Sequence, residues 1–159
     1  ELQPHRARLV AENFRAYPEP NRPVTIVADG TRPAWREGTF ARVLADVPCT
    51  GLGALRRRPE SRWRRRPEDL PGLVDLQRRL LASAIASVQP GGVVAYVTCS
   101  PHPDETAGVV AGLAGATVLD APAHLPEVPE CASGPFVQLW PHRHGTDAMF
   151  LAMLRRADR

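Results

Sequence analysis

The feature that most restricts the fold is a succession of three segments in the middle of the chain. A short apolar run from Phe40 to Ala45, interrupted only by Arg42, is followed by Leu70, Leu73, Leu76, Leu80, Leu81, Ile85 and Val88 spaced along one face of a helix, and then by the unbroken apolar run Val93 to Val97. The helical period predicts a helix over Asp69 to Val88, with Pro90-Gly91-Gly92 as its stop. Short apolar runs closed by turn residues predict buried strands. Strands alternating with helices imply an α/β sheet that is at least partly parallel.

The flanks extend this pattern. Leu2, Val10, Ala11 and Phe14 predict a helix within residues 1–17, ending before Pro18, and Val24 to Ala28 predicts a first strand that stops at Asp29-Gly30. Asp104 to Leu113 is expected to be a helix with acidic residues in its first turn, where they face the positive end of the dipole. Ala116 to Leu119 is expected to be a strand. After a proline-rich loop from Pro122 to Pro135, Phe136 to Trp140 and Ala148 to Leu154 are expected to form a terminal antiparallel pair around PHRHGTD.

With 159 residues, 43% of them hydrophobic, the chain suits one domain. No apolar run approaches the roughly 20 residues that cross a bilayer, and the first residues do not read as a signal peptide. A soluble cytoplasmic protein without membrane association is expected. Cys49, Cys99 and Cys131 are odd in number and lack CxxC spacing, so neither a disulfide framework nor a metal site is expected.

In an open α/β sheet, ligands bind beyond the carboxyl ends of the strands. Asp29, Asp46, Cys49 and Cys99 each lie at or just after the end of an expected parallel strand, so separate segments bring reactive and hydrogen-bonding groups to one edge. Taken singly, Cys99 also fits a small buried thiol, and Asp29 and Asp46 fit turn or helix caps. Cys131 has no strand before it and no expected catalytic part. Arg56, Arg57, Arg58, Arg62, Arg64, Arg65 and Arg66 crowd around Trp63, although the net charge is only +3. Such a cluster suits a phosphate backbone, with the aromatic available to an unpaired base; it also suits a solvated loop.

DVPCTGLG and YVTCSPHPDET resemble the two cysteine motifs, DAPCSGxG and YxTCSxxxxEN, of the NSUN/RsmB (Sun/Fmu) family of RNA cytosine-5 methyltransferases. The resemblance continues through RRRPESRW, the LxxLQxxLL helix and the closing PHRHGTDAMFLAML, covering nearly the whole chain. It implies a Rossmann-like methyltransferase sheet, mostly parallel with a C-terminal antiparallel strand. It also implies S-adenosylmethionine as cofactor and RNA as partner, with ribosomal RNA of the small subunit favoured.

The resemblance also assigns roles. Cys99 would add to carbon 6 of the target cytosine, Asp46 would hydrogen-bond ring nitrogen 3, and Cys49 would assist release after methyl transfer. Asp29, Glu1, Asp46 and Pro48 would line the cofactor site. Arg57, Arg58, Arg62 and Trp63 are the candidates for RNA contact. The family's glycine-rich loop and first two strands would lie upstream of Glu1, so residues 1–159 are expected to be the C-terminal part of one catalytic domain. Alone, they are expected to be inactive and prone to self-association through an open sheet edge. Two alternatives stay open: a DNA-type enzyme in which Cys49 attacks, and a catalytically dead paralogue that binds RNA or serves assembly.

Overall fold

The computed structural model of the protein describes residues 1–158. Six strands, β1 (Phe40–Asp46), β2 (Val88–Thr98), β3 (Ala116–Leu119), β4 (Ala132–Ser133), β5 (Phe136–Gln138) and β6 (Phe150–Arg156), form one sheet. The helices are α1 (Pro4–Asn13), α2 (Ser61–Arg64), α3 (Leu70–Ser87), α4 (Ala107–Val110) and α5 (Pro141–His144).

The central pair forms as the sequence implies. β1 and β2 run parallel, with Val43 opposite Val94 and Asp46 opposite Val97, and α3 crosses between them. β6 pairs antiparallel with β2 on one side and with both β3 and β5 on the other. β1, β2, β3 and β5 therefore share one direction, and the inserted C-terminal strand opposes them. This is the mixed α/β sheet expected.

The core lies between α3 and this sheet. Leu81, Val88, Val94, Tyr96 and Ala152 have no exposed surface, and Val74, Ala84, Ile85 and Leu154 pack with them. Leu73, Leu76 and Leu80 are only half-buried. The innermost line of α3 instead runs Val74, Gln77, Leu81, which aims a polar side chain into the interior for a reason that the site supplies below.

Several boundaries differ from expectation. Pro90-Gly91-Gly92 does not separate α3 from β2; it forms an irregularity within β2, where the register against β1 slips between Phe40 and Arg42. The helix expected over Asp104 to Leu113 is broken, because Thr106 leaves helical geometry between a single 3-10 turn and the short α4.

The strand expected at Val24 to Ala28 does not form. Among the described residues its backbone pairs only with residue 1, whose amine donates to Ile26 O at 3.2 Å and whose carbonyl accepts from Ala28 N at 3.1 Å. One parallel rung does not make a ladder, and Val24, Ile26 and Val27 stay exposed. β1 is likewise an edge of the sheet, leaving Leu44 69% exposed.

Candidate active site

Parallel pairing of β1 and β2 brings their carboxyl ends together, and the register continues one step further as Val47 N donates to Val97 O at 3.1 Å. Beyond that point both chains turn, the first through Pro48-Cys49-Thr50-Gly51 and the second through Cys99-Ser100-Pro101. The turns place the Cys49 and Cys99 sulfurs 3.2 Å apart. Cys49 is buried and Cys99 is half-buried, so Cys99 is the more accessible of the two.

At that distance one sulfur can donate a hydrogen bond to the other. Cys49 is brought down to about 6, first by the hydrogen bond from Cys99 and further by the Gly51 backbone amide, which together overcome its burial. Cys99 is pushed up, because it donates its proton to Cys49, because it is partly buried, and because a second charge would face ionised Cys49 and Asp46. One negative charge is therefore favoured on the pair and two are opposed. The arrangement suits a thiol that must lose its proton as it attacks, since the acceptor is already in contact.

A third loop completes the site. Gly53, just past the Cys49 turn, donates to Cys99 O at 2.9 Å, and its carbonyl accepts from Ala148 N at 2.9 Å. The segment before β6 thereby joins the two cysteine turns. Its Asp147 is buried and accepts hydrogen bonds from Arg56 Nε at 2.8 Å and from Arg57 Nε and Nη2. These guanidinium groups hold the Asp147 carboxyl at about 2. The positive charge of Arg57 also acts on Cys99.

The arginine cluster thus divides into two sets. Arg56 and Arg57 are braced by Asp147, and Arg65 turns inward to donate to the carbonyls of Thr50 at 3.2 Å and Cys49 at 3.3 Å. Arg58 and Arg62 face solvent, and Trp63 is 82% exposed. An exposed indole amid cations is costly to leave in water and useful for stacking.

Of the remaining residues singled out from the sequence, Asp46 and Pro48 belong to the β1 end of this site. Glu1 pairs by backbone with Ile26 and Ala28, which places it beside the segment that ends at Asp29 and on no hydrogen bond to the thiol turns. Asp29 accepts from Thr31 N and Oγ1 at 2.9 and 2.8 Å, the turn-capping role weighed against a functional one, and Glu1 accepts from Gln3 N at 3.0 Å. Those amide bonds are the main reason both carboxyls sit below their ordinary values. Cys131 lies in a separate apolar cluster with Ala121 and Val137.

Three participants were not read from the sequence. Glu105, expected only as an acid in the first turn of a helix although it is the Glu of the second cysteine motif, has no exposed surface and accepts hydrogen bonds from Thr50, Ser100 and Gln77. Gln77 lies within an otherwise apolar helix face and is the Gln of the LxxLQxxLL segment, two signals that could have found it. Asp147 sits in the polar stretch immediately before an apolar strand. Among the described residues, no helix is long and apolar enough to cross a membrane, and no cluster of ligating side chains could hold a metal ion.

Acid should reveal both buried carboxylates. Burial pushes Glu105 up, but its hydrogen bonds outweigh that and leave it below the ordinary 4.5. Asp147 falls from 3.8 to about 2. A carboxyl depressed by folding contributes stability above its unfolded pKa, and that contribution is lost as pH falls through the folded value. The melting temperature should decline below about pH 4.5 and continue to fall toward pH 2. Glu105→Gln should flatten the upper part of that decline and Asp147→Asn the lower part; parallel curves for wild type and variants would contradict the assignment.

The sheet order and paired turns define the chain as an α/β protein of the methyltransferase type. Its fold superposes on PH0851 with a TM-score of 0.86 and 27% identity over 98% of this chain and 36% of that one. It also superposes on NSun6 from Pyrococcus horikoshii, solved with SFG, with a TM-score of 0.81 and 23% identity over 100% of this chain and 41% of that one. The sequence profile described as 16S rRNA methyltransferase RsmB/F matches residues 1–155, and the chain belongs to that family.

Rv1407 of Mycobacterium tuberculosis strain H37Rv, whose name assigns it provisionally to the methyltransferases, is 53% identical over 160 residues, covering 98% of this chain and 34% of that protein. Ribosomal RNA small subunit methyltransferase B of Sodalis glossinidius is 37% identical over 131 residues, covering 81% and 29%. The chain spans about a third of the length of these curated relatives.

Proposed function

We propose that the chain carries the base-modifying half of an S-adenosylmethionine-dependent enzyme that methylates carbon 5 of a cytosine in small-subunit ribosomal RNA, acting in the cytoplasm. The observation that carries this reading is the pair of sulfurs 3.2 Å apart beyond the ends of two parallel strands. A lone buried thiol would need no partner; a nucleophile that must be deprotonated and later expelled does.

Cys99 is the nucleophile. It is the more exposed sulfur and has a proton acceptor in Cys49, so its proton moves to Cys49 as its electron pair forms a bond to carbon 6 of the ring. Asp46 hydrogen-bonds the ring at nitrogen 3 in its protonated form and hands its proton to that nitrogen as the bond to carbon 6 forms, neutralising the negative charge that the addition places on the ring; the proton returns when Cys99 leaves. S-adenosylmethionine supplies the methyl group to carbon 5. A base then removes the proton from carbon 5, the carbon–sulfur bond breaks, and Cys99 leaves as thiolate; Cys49 assists this step from contact distance.

The corner at Glu1 and Asp29 is assigned to the adenosine end of the cofactor. Both carboxylates are exposed, ionised at neutral pH and able to accept from ribose hydroxyls and an adenine amine. Asp46 and Pro48, at the β1 end of the thiol site, are assigned to the cofactor as well. Arg57, Arg58, Arg62 and Trp63 are assigned to the RNA, the arginines to phosphate and the indole to an unpaired base. Replacing Arg58 or Arg62 by Ala should weaken RNA binding across sequences and lower the salt slope by about 1 per residue. Slopes that do not move would remove them from the interface.

The reading is tested by incubating the full-length protein with cofactor and small-subunit ribosomal RNA and digesting the product. Labelled 5-methylcytidine is expected, and methylation of another nucleoside would overturn the reading. Failure of any methylation, with RNA binding intact, would favour an RNA-binding or assembly role. The exposed edge of β1 also suits self-association of the 159-residue chain by itself, which should appear as mass rising with concentration in sedimentation.

A further inference from the structure

Glu105 has no role in the steps above, yet it is among the most completely buried polar side chains described, and four donors point at its carboxylate. Oε1 accepts from Thr50 N at 2.8 Å and from Gln77 Nε2 at 2.9 Å. Oε2 accepts from Thr50 Oγ1 at 2.5 Å and from Ser100 Oγ at 2.6 Å. Its own carbonyl is fixed by Tyr96 Oη at 2.7 Å.

The identity of these partners gives the cluster its meaning. Thr50 directly follows Cys49, and Ser100 directly follows Cys99. Gln77 also donates to Pro48 O at 2.9 Å, on the other side of Cys49. We propose that Glu105 is a positioning residue for the thiol pair: one carboxylate draws the two cysteine turns together and so sets the separation of their sulfurs. The inference deepens the proposed function and rests on it for its consequence, because a misplaced Cys49 could not assist the release of Cys99.

Strand pairing cannot do this alone. The β1–β2 register ends at Asp46 and Val97, with one further bond at Val47, and both cysteines lie past the last rung. Besides the sulfur contact itself, the other direct links between the two turns among the described residues are the Gly53 amide bond to Cys99 O at 2.9 Å and the longer Thr50–Ser100 hydroxyl contact at 3.3 Å, whose two oxygens both bond the Glu105 carboxylate. A carboxylate accepts all four bonds at once, two of them charge-assisted from hydroxyls, whereas an amide would keep two and force Thr50 Oγ1 and Ser100 Oγ to turn from donating to accepting. This explains a polar Gln77 in the core-facing line of α3: it is the strut between the helix, the Pro48 carbonyl and the carboxylate.

Sulfur separation can be read without turnover. In the full-length protein, diamide oxidises two adjacent thiols to a disulfide while it is itself reduced to the hydrazine, so closure of the Cys49–Cys99 bond, located by peptide mapping, reports proximity. The pH midpoint of Cys49 alkylation, expected near 6, reports the hydrogen bond from Cys99. The charged groups acting on the pair are Asp46, Glu105 and Arg57.

In Glu105→Gln, closure should slow by at least about tenfold, the scale of one lost hydrogen bond to a charged group. The midpoint should move up toward that of an ordinary thiol. Thr50→Val and Ser100→Ala remove one bond each and should shift both readouts the same way by less; they decide the matter if the Gln variant does not fold. A folded variant set with native closure and a native or lowered midpoint overturns the proposal, since Glu105 would then act only as a charge or a stabiliser. Trapping of RNA at Cys49 in place of Cys99 would sink the proposed function instead and leave these proximity results intact.

Discussion

Gly53→Ala should be among the most damaging single substitutions in the chain, although it adds only one methyl group. A Cβ at Gly53 would stand 2.0 Å from Ala148 O, 2.7 Å from Cys99 O and 2.9 Å from Cys99 C. All three are backbone atoms, so no rotamer change relieves the contact. The turn after Cys49, the turn at Cys99 and the loop before β6 would have to separate, breaking the bonds that Gly53 makes to both. Overpacking of this kind costs about 3 kcal/mol or more. For a domain of this size, that corresponds to a melting temperature lower by about 6–12 °C. The full-length protein should also lose adduct formation, because Cys99 moves with its carbonyl. A melting temperature within a degree or two of wild type would contradict the three-loop description.

Cys99→Ala in the full-length protein should remove methyl transfer almost entirely, by a factor on the order of 10⁴ or more, as expected when a covalent nucleophile is deleted. Cys49→Ala should behave differently. With the facing sulfur gone, Cys99 loses both the hydrogen bond and the like charge that push it up, so it still attacks. Expulsion is then unassisted, and RNA should remain covalently attached as turnover falls. Steady-state rates with a gel-shift readout under denaturing conditions separate the two variants. Equal loss of both adduct and turnover in each would show that the thiols act as a single unit in attack.

The parts of the molecule legible from sequence are those that a local pattern determines. Helical spacing from Leu70 to Val88 and the apolar runs ending at Asp46 and Thr98 were sufficient to place α3 between two parallel strands, and thus to bring Cys49 and Cys99 to one edge. Where the expectation failed, a missing or non-local partner is the reason. Val24 to Ala28 has the composition of a strand, but backbone ladders need neighbours, and among the described residues only residue 1 pairs with it. Pro90-Gly91-Gly92 reads locally as a stop, whereas pairing with β1 carries β2 across it as a bulge.

The site shows the same division. The nucleophile candidates could be read from strand ends, but the groups that hold them could not. Glu105 has the local context of a helix-start acid, and only the tertiary approach of Thr50, Ser100 and Gln77 turns it into a buried acceptor. Asp147 gives no local sign that it will brace Arg56 and Arg57, about ninety residues away in sequence. The arginine run reads as one patch, yet Arg65 is drawn inward by the carbonyls it satisfies.

The most direct test is the identity of the sulfur that bonds RNA. Full-length protein carrying Cys49→Ala, incubated with cofactor and RNA containing 5-azacytidine, should yield a denaturation-resistant adduct, and digestion with mass mapping should locate the nucleotide on the peptide containing Cys99. An adduct that survives in Cys99→Ala and maps to the peptide containing Cys49 would contradict the account.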